Sequence, residues 1–225
     1  MQTVSAASLA TIGAKSTRWP DSPALQWVSM RQVIADCRDA VAGVGDVIDT
    51  TKADGDLTDQ AKSRRISRAA LDAIDRLDAL PSMERAERLV GDFLQGQRER
   101  RPTRIVPPST PHDVQVAAEL RAWVARQKSS FDTALKLATD TVAMSAILTA
   151  PGFLSGLSDE ATNAVRAAAE QAIDPDAVQI RKLNEDAIAE CRTTIVQTKS
   201  RIGQIANLRK AGSGRFEPHT AAKAA

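Results

Sequence analysis

The fold is decided by one stretch, Trp27-Val-Ser-Met30-Arg-Gln-Val-Ile34-Ala-Asp-Cys37-Arg-Asp-Ala-Val41-Ala-Gly-Val44-Gly-Asp-Val-Ile48. Its large apolar residues fall at steps of 3, 4, 3, 4, 3 and 4, a heptad seam held for three heptads. Val33, Ala40 and Val47 widen that seam toward the broader face of a globular helical bundle. A strand would place neighbours two apart on one face, and no such alternation runs through this segment.

Working outward, Trp19-Pro20-Asp21-Ser22-Pro23 supplies capping residues and first-turn prolines before the helix. Residues 1–20 carry no apolar period and are expected to form a flexible arm. On the other side, Asp54-Gly55-Asp56 ends the helix and Leu57-Thr58 opens a second, with Ile66, Ala70, Ala73, Leu77 and Leu80 as its apolar stripe. Pro81 stops that helix, and Ser82 caps a third with Met83, Ala86, Val90 and Phe93 facing inward. Residues 21–100 thus read as a three-helix subdomain.

Residues 101–111 hold four prolines and are expected to be an extended linker. Thr110 and Pro111 then start a helix whose spaced residues Val116, Leu120, Trp123, Gln127, Phe131, Ala134, Ala138 and Val142 carry it to Thr149, roughly 57 Å at 1.5 Å per residue. Pro151-Gly152 breaks it, and Ser158 caps a short helix over residues 159–172. Asp174-Pro175 begins a last long helix with Ile188, Cys191, Ile195, Thr198, Ile202 and Ile205 on its seam, running to Lys210 and stopped by Gly212. Residues 112–211 read as a helical hairpin with a short intervening helix, and residues 212–225 as a flexible tail. The expected class is all-α: an elongated helical bundle of two helical-hairpin subdomains with long antiparallel helices.

Composition agrees with this class. Among the 225 residues, 39 are Ala, 57 are larger apolar residues, and none is Tyr. A sandwich or barrel would need more β-branched and aromatic residues and more turns. Fifty-seven larger apolar residues spread over long helices make a thin core, which oligomerisation would complete. The formal net charge is only +2, so self-repulsion does not expand the chain. No run reaches 18 apolar residues, the length a transmembrane helix needs, and no secretory signal is legible at the start.

Motifs for chemistry are sparse. Thr50 to Ala61 aligns Gly55 with the obligatory glycine of a calcium loop, but Thr50, Lys52 and Ala61 stand where carboxylate ligands belong. Gly43-Val44-Gly45 follows no strand and sits inside the heptad seam, where close helix approach explains it better than nucleotide binding. Cys37 and Cys191 occupy seam positions and read as small buried hydrophobes. A nucleophilic thiol would want a histidine, and His112 and His219 lie near prolines and in the tail. No catalytic residue, metal site or cofactor is expected.

Two basic clusters suit phosphate or nucleic-acid backbone: Arg98, Arg100, Arg101 and Arg104, and then Lys199, Arg201, Arg209, Lys210 and Arg215. Both also sit at predicted helix C-termini, where cations complement the macrodipole. No aromatic residue interleaves them for base stacking. The stretch from Val142 to Leu154 is uncharged and apolar on every side, so Val142, Met144, Ile147, Leu148, Phe153 and Leu154 are interface candidates. Burial under the short helix or against another subunit is expected before lipid contact.

Lys52-Ala-Asp-Gly-Asp-Leu-Thr-Asp-Gln-Ala-Lys-Ser-Arg-Arg-Ile66 resembles a helical-hairpin turn in small virion structural proteins of tailed bacteriophages. The resemblance covers these residues alone. It implies an oligomeric particle component (a neck, adaptor or internal protein), made in the cytoplasm and carried in the virion, and it assigns no functional residue. The expected function is therefore a non-enzymatic structural or assembly protein, a homo-oligomer or part of a larger assembly. A nucleic-acid backbone-binding helical protein and a membrane-interacting helical hairpin are the alternatives.

Overall fold

The computed structural model describes residues 9–100, 105–212 and 214–218, with Arg100 described by its backbone alone. The fold is all-α, with one small two-stranded sheet. It divides into two compact units. The first holds the described residues up to Phe93 together with those from Asn184 onward, and the second spans Leu94–Leu183. The boundaries thus fall inside two helices, whereas the sequence placed its boundary at residues 101–111. The physical reason is the seam of the last helix, which returns to the first.

In the first unit, α1 (Leu25–Ala53) buries the whole heptad seam from Trp27 to Ile48. α2 (Asp59–Asp78) starts at Thr58, whose side chain accepts from the Ala61 amide. Lys62 Nζ donates to the Lys52 carbonyl at 3.2 Å across the turn, so α2 runs back along α1. α3 (Pro81–Arg100) begins beside the middle of α1, where Ser82 Oγ donates to Asp36 Oδ2 at 2.5 Å. The last helix, α8 (Pro175–Ile205), enters this unit at Asn184. Its Cys191 thiol donates to the Met30 carbonyl at 3.7 Å, and its buried Thr198 side chain lies beside the Cys37 thiol. Both pairings step seven residues in the same sense, so α8 lies parallel to α1. Ile188, Cys191, Ile195 and Ile202 are buried there, as the 3-4 spacing required.

The ends of the first unit are more ordered than the sequence suggested. Residues 9–20, expected to belong to a flexible arm, pack on α1 instead; residues 1–8 lie outside the described residues. Ile12 is buried, and its carbonyl accepts from Arg38 Nε and Nη2 at 3.2 and 3.0 Å. A 3-10 turn over Ala14–Arg18 leads to Trp19, whose ring centroid lies 6.2 Å from that of Trp27. At the other end, α8 stops at Ile205 and not at Lys210. Asn207, at φ 52°, adopts the left-handed conformation that ends a helix, a role expected of Gly212. The chain then forms a hairpin of β1 (Leu208–Lys210) and β2 (Phe216–Pro218), antiparallel with Arg209 opposite Glu217. Phe216 lies so close over Gly203 that a Cβ there would overlap its ring. Residues 216–218 are therefore part of the fold; residues 219–225 lie outside the described residues.

The second unit corrects the expected helix from Pro111 to Thr149. Three helices replace it: α4 (Pro111–Ala125), α5 (Ser130–Lys136) and α6 (Thr141–Leu148). Each has its own cap. Thr110 and Asp113 form a reciprocal capping box, Ser129 accepts from the Asp132 amide at 3.2 Å, and Asp140 Oδ1 accepts from the Val142 and Ala143 amides at 2.9 and 3.0 Å. The breaks let α6 fold back so that Met144, Ile147 and Leu148 join Val124, Ala134 and Leu157 in one core. α7 (Asp159–Ile173), capped by Ser158, adds Val165 and Ala169 to it. An apolar helix needs its last carbonyls satisfied if it is to be buried. Arg121 Nη1 donates to the Ala146 carbonyl at 2.9 Å and Arg166 Nη2 to the Leu148 carbonyl at 3.0 Å. Both guanidiniums also place positive charge at the negative end of the helix dipole.

Candidate functional site

The apolar stretch splits in two. Met144 and Ile147 are fully buried and Leu148 nearly so, which makes them core residues of the second unit. Val142, Phe153 and Leu154 face solvent. The last two lie on a 3-10 turn, Gly152–Ser155, that packs against α4. The turn is tied internally: the Leu154 amide donates to Pro151 at 3.1 Å, Gly156 to Phe153 at 3.1 Å, and Leu157 to Gly152 at 3.0 Å.

Gly156 closes this turn at φ 70°, a conformation that favours glycine. A Cβ there would stand 2.8 Å from Ser130 Oγ and 3.3 Å from Ala125 Cα. Three segments therefore meet at Gly156: the end of α4, the start of α5, and the turn. Each carries a large apolar side chain near this junction, and each such side chain is exposed: Trp123 (45%), Phe131 (37%), Phe153 (74%) and Leu154 (44%). Trp123 and Phe131 belonged to a continuous helical seam in the sequence reading. With the helix broken between them, they cap the outside of the junction instead. Three of the chain's seven aromatic residues are thus spent on this surface, on backbone held by caps and close contacts.

The basic clusters are less uniform than their sequence. Arg98 is exposed at the end of α3 and makes no hydrogen bond or ion pair with a described residue. It lines a cleft of about 710 Å³ in the second unit together with Arg166, Arg181, Glu170 and Ile173. Arg166 is committed there to the Leu148 carbonyl, and Arg181 to Glu170 at 2.8 Å. The side chain of Arg100, and Arg101 and Arg104 entirely, lie outside the described residues. In the second cluster Lys199 is paired with Asp78, and Arg209 with Glu217 at 3.2 Å. Arg201 is half-buried and already engaged, while Lys210 is exposed on β1. Two of this group, Lys199 and Arg209, are thus matched by acids of their own unit.

The two cysteines are free and buried. Burial pushes the Cys37 thiol up to about 11, a rise reduced by the polar Thr198 side chain beside it and aided by nearby Asp36. Burial pushes Cys191 up to about 12, with Cys37 and Glu190 adding to the rise. A thiol held this far above neutral pH supplies almost no thiolate, so neither is equipped as a nucleophile. Among the described residues no group of three or more His, Cys, Asp or Glu side chains converges as a metal site. No helix of the described residues is long and apolar enough to cross a membrane.

No protein-family model matches the chain, and no curated protein or solved structure matches it either.

Proposed function

We propose that this chain is a non-enzymatic assembly protein that works by packing against copies of itself or a larger complex. The observation that carries this reading is the exposed cluster of Trp123, Phe131, Phe153 and Leu154 on a junction fixed by Gly156. Large aromatic side chains are the usual anchors of protein interfaces, and rigid presentation lowers the entropy lost on contact. In a chain with only seven aromatic residues, leaving three of them in water around one ordered junction costs solubility unless a partner covers them. A virion component of a tailed phage is the specific form of this proposal, and it rests on the resemblance at residues 52–66 alone.

The nucleic-acid reading has less support. Two of the five cations in its second cluster, Lys199 and Arg209, already face acids, which reduces the charge free to displace counterions from phosphate.

Light scattering of the full chain over a range of concentrations tests the proposal. Self-association is expected, and Phe153→Ser with Trp123→Ser should weaken it without changing helix content. A wild-type chain that stays monomeric at every concentration, and is absent from any purified particle by mass spectrometry, would sink the assembly reading.

A further inference from the structure

The exposed side of α2 carries a strip at steps of 4, 3, 4, 3 and 4: Ala61, Arg65, Arg68, Asp72, Asp75 and Ala79. Four of these six side chains are charged, and all four are exposed. Their order is small, two basic, two acidic, small. Turned end over end, the same strip reads small, two acidic, two basic, small. Laid antiparallel on itself about a centre near Ala70, it sets Arg68 opposite Asp72 and Arg65 opposite Asp75, each twice, with Ala61 opposite Ala79. The alanines at the ends keep the crossing free of bulk.

This arrangement is unfavourable for an isolated helix. The N-terminal end of a helix is positive and its C-terminal end negative, so acids suit the first turn and bases the last, with little effect between. Apart from Asp59 and Arg76, α2 does the reverse, with Lys62, Arg64, Arg65 and Arg68 early and Asp72, Asp75 and Asp78 late. Three of the four strip charges are also unused among the described residues. Arg68, Asp72 and Asp75 make no side-chain ion pair with a described residue, and Arg65 reaches only Asp54 at 3.9 Å. Beside the strip, a groove between α1 and α2 is floored by Ala40, Gly43, Ala69 and Ala73, which leaves room for another helix to approach.

We infer that α2 is a two-fold contact between copies of this chain, in which the Arg65–Arg68 half of one helix pairs with the Asp72–Asp75 half of its antiparallel partner. A symmetric dimer requires a self-complementary surface, and a helix with its charges divided between its two ends is the simplest such surface. The antiparallel arrangement also opposes the two helix dipoles favourably. The inference rests on the self-assembly reading above but uses a different surface, in the other compact unit.

A charge swap tests it in the full chain. One variant carries Arg65→Glu and Arg68→Glu, the other Asp72→Arg and Asp75→Arg. All four side chains are exposed, so each variant should keep its helix content with only a small change in melting temperature, although Arg65→Glu gives up the Asp54 contact. Each should nevertheless self-associate at least about tenfold more weakly, because every contact becomes like-charged. Mixing the two should restore association as a heterodimer, measured by sedimentation with one variant labelled, and added salt should weaken it. Reversals that leave self-association unchanged, or a mixture that does not re-form the dimer, would overturn the α2 contact. Association abolished by Phe153→Ser but insensitive to the α2 reversals would overturn this inference and leave the assembly reading standing. A wild-type chain that never associates would overturn both.

Discussion

Gly43→Ala and Gly156→Ala should have opposite signs. Gly43 lies in the interior of α1, exposed, and a Cβ built on it meets nothing within 4 Å. Alanine there gains about 1 kcal/mol of helix propensity with no clash to offset it. For a chain of this size that is a rise of roughly 2–4 °C in melting temperature. Gly156 sits at φ 70°, where a side chain costs about 1–2 kcal/mol before any contact is considered. The new Cβ would then press on Ser130 Oγ at 2.8 Å and on the backbone of Ala125 at 3.3 Å, which has little freedom to yield. The expected loss is about 2 kcal/mol or more. Urea unfolding of the full chain, followed by far-ultraviolet circular dichroism and tryptophan fluorescence, reads both. A lowered midpoint for Gly43→Ala would mean that the space over α1 is occupied, and a neutral Gly156→Ala would mean that the junction is not fixed as described.

Met144→Ala should cost about 2–5 kcal/mol because the side chain is fully buried, whereas exposed Val142→Ala, two residues away, should stay within about 0.5 kcal/mol; the pair separates core from surface within one apolar run. The thiols make stability depend on alkaline pH. Their folded values, about 11 and 12, lie above the ordinary 9, so the unfolded chain loses these protons first. Their contribution is complete below pH 9 and is lost as pH rises toward 11 and 12, a window free of tyrosine titration in this chain. A wild-type urea midpoint that falls across this window more steeply than that of the Cys37→Ala and Cys191→Ala double variant is the expected result. In the same chain at pH 8, alkylation of either thiol should be no faster than unfolding.

Much of the fold was legible because it follows from local rules. The α1 seam, the Thr58, Thr110 and Ser158 caps, and the α8 seam each depend on spacing within a few turns. The broken helix over residues 111–149 was not. Val116, Leu120, Trp123 and Phe131 do keep helical spacing, but Ser129 and Asp140 are also good N-caps, and either reading satisfies local preference. What decides it is the need to bury Met144, Ala146, Ile147 and Leu148, which a continuous helix cannot do and a folded-back one can. The exposed junction was hidden for the same reason. Trp123 and Phe131 share helical spacing with Leu120, which points them inward on one continuous helix, and only the break turns them out. The strip on α2 lies in the charge order of residues 61–79, which apolar spacing does not register.

The parallel pairing of α1 and α8 has a consequence for how the chain is made. Met30 and Cys191 are 161 residues apart, so at typical translation speeds roughly 10–30 s pass between the emergence of one and the other. During that interval the second unit, Leu94–Leu183, can leave the ribosome and close its own core. The face of α1 that receives α8 meanwhile stays open on the nascent chain. A chain truncated before Asn184 would keep that face bare for good, and it is the version most prone to aggregate or to be held by chaperones.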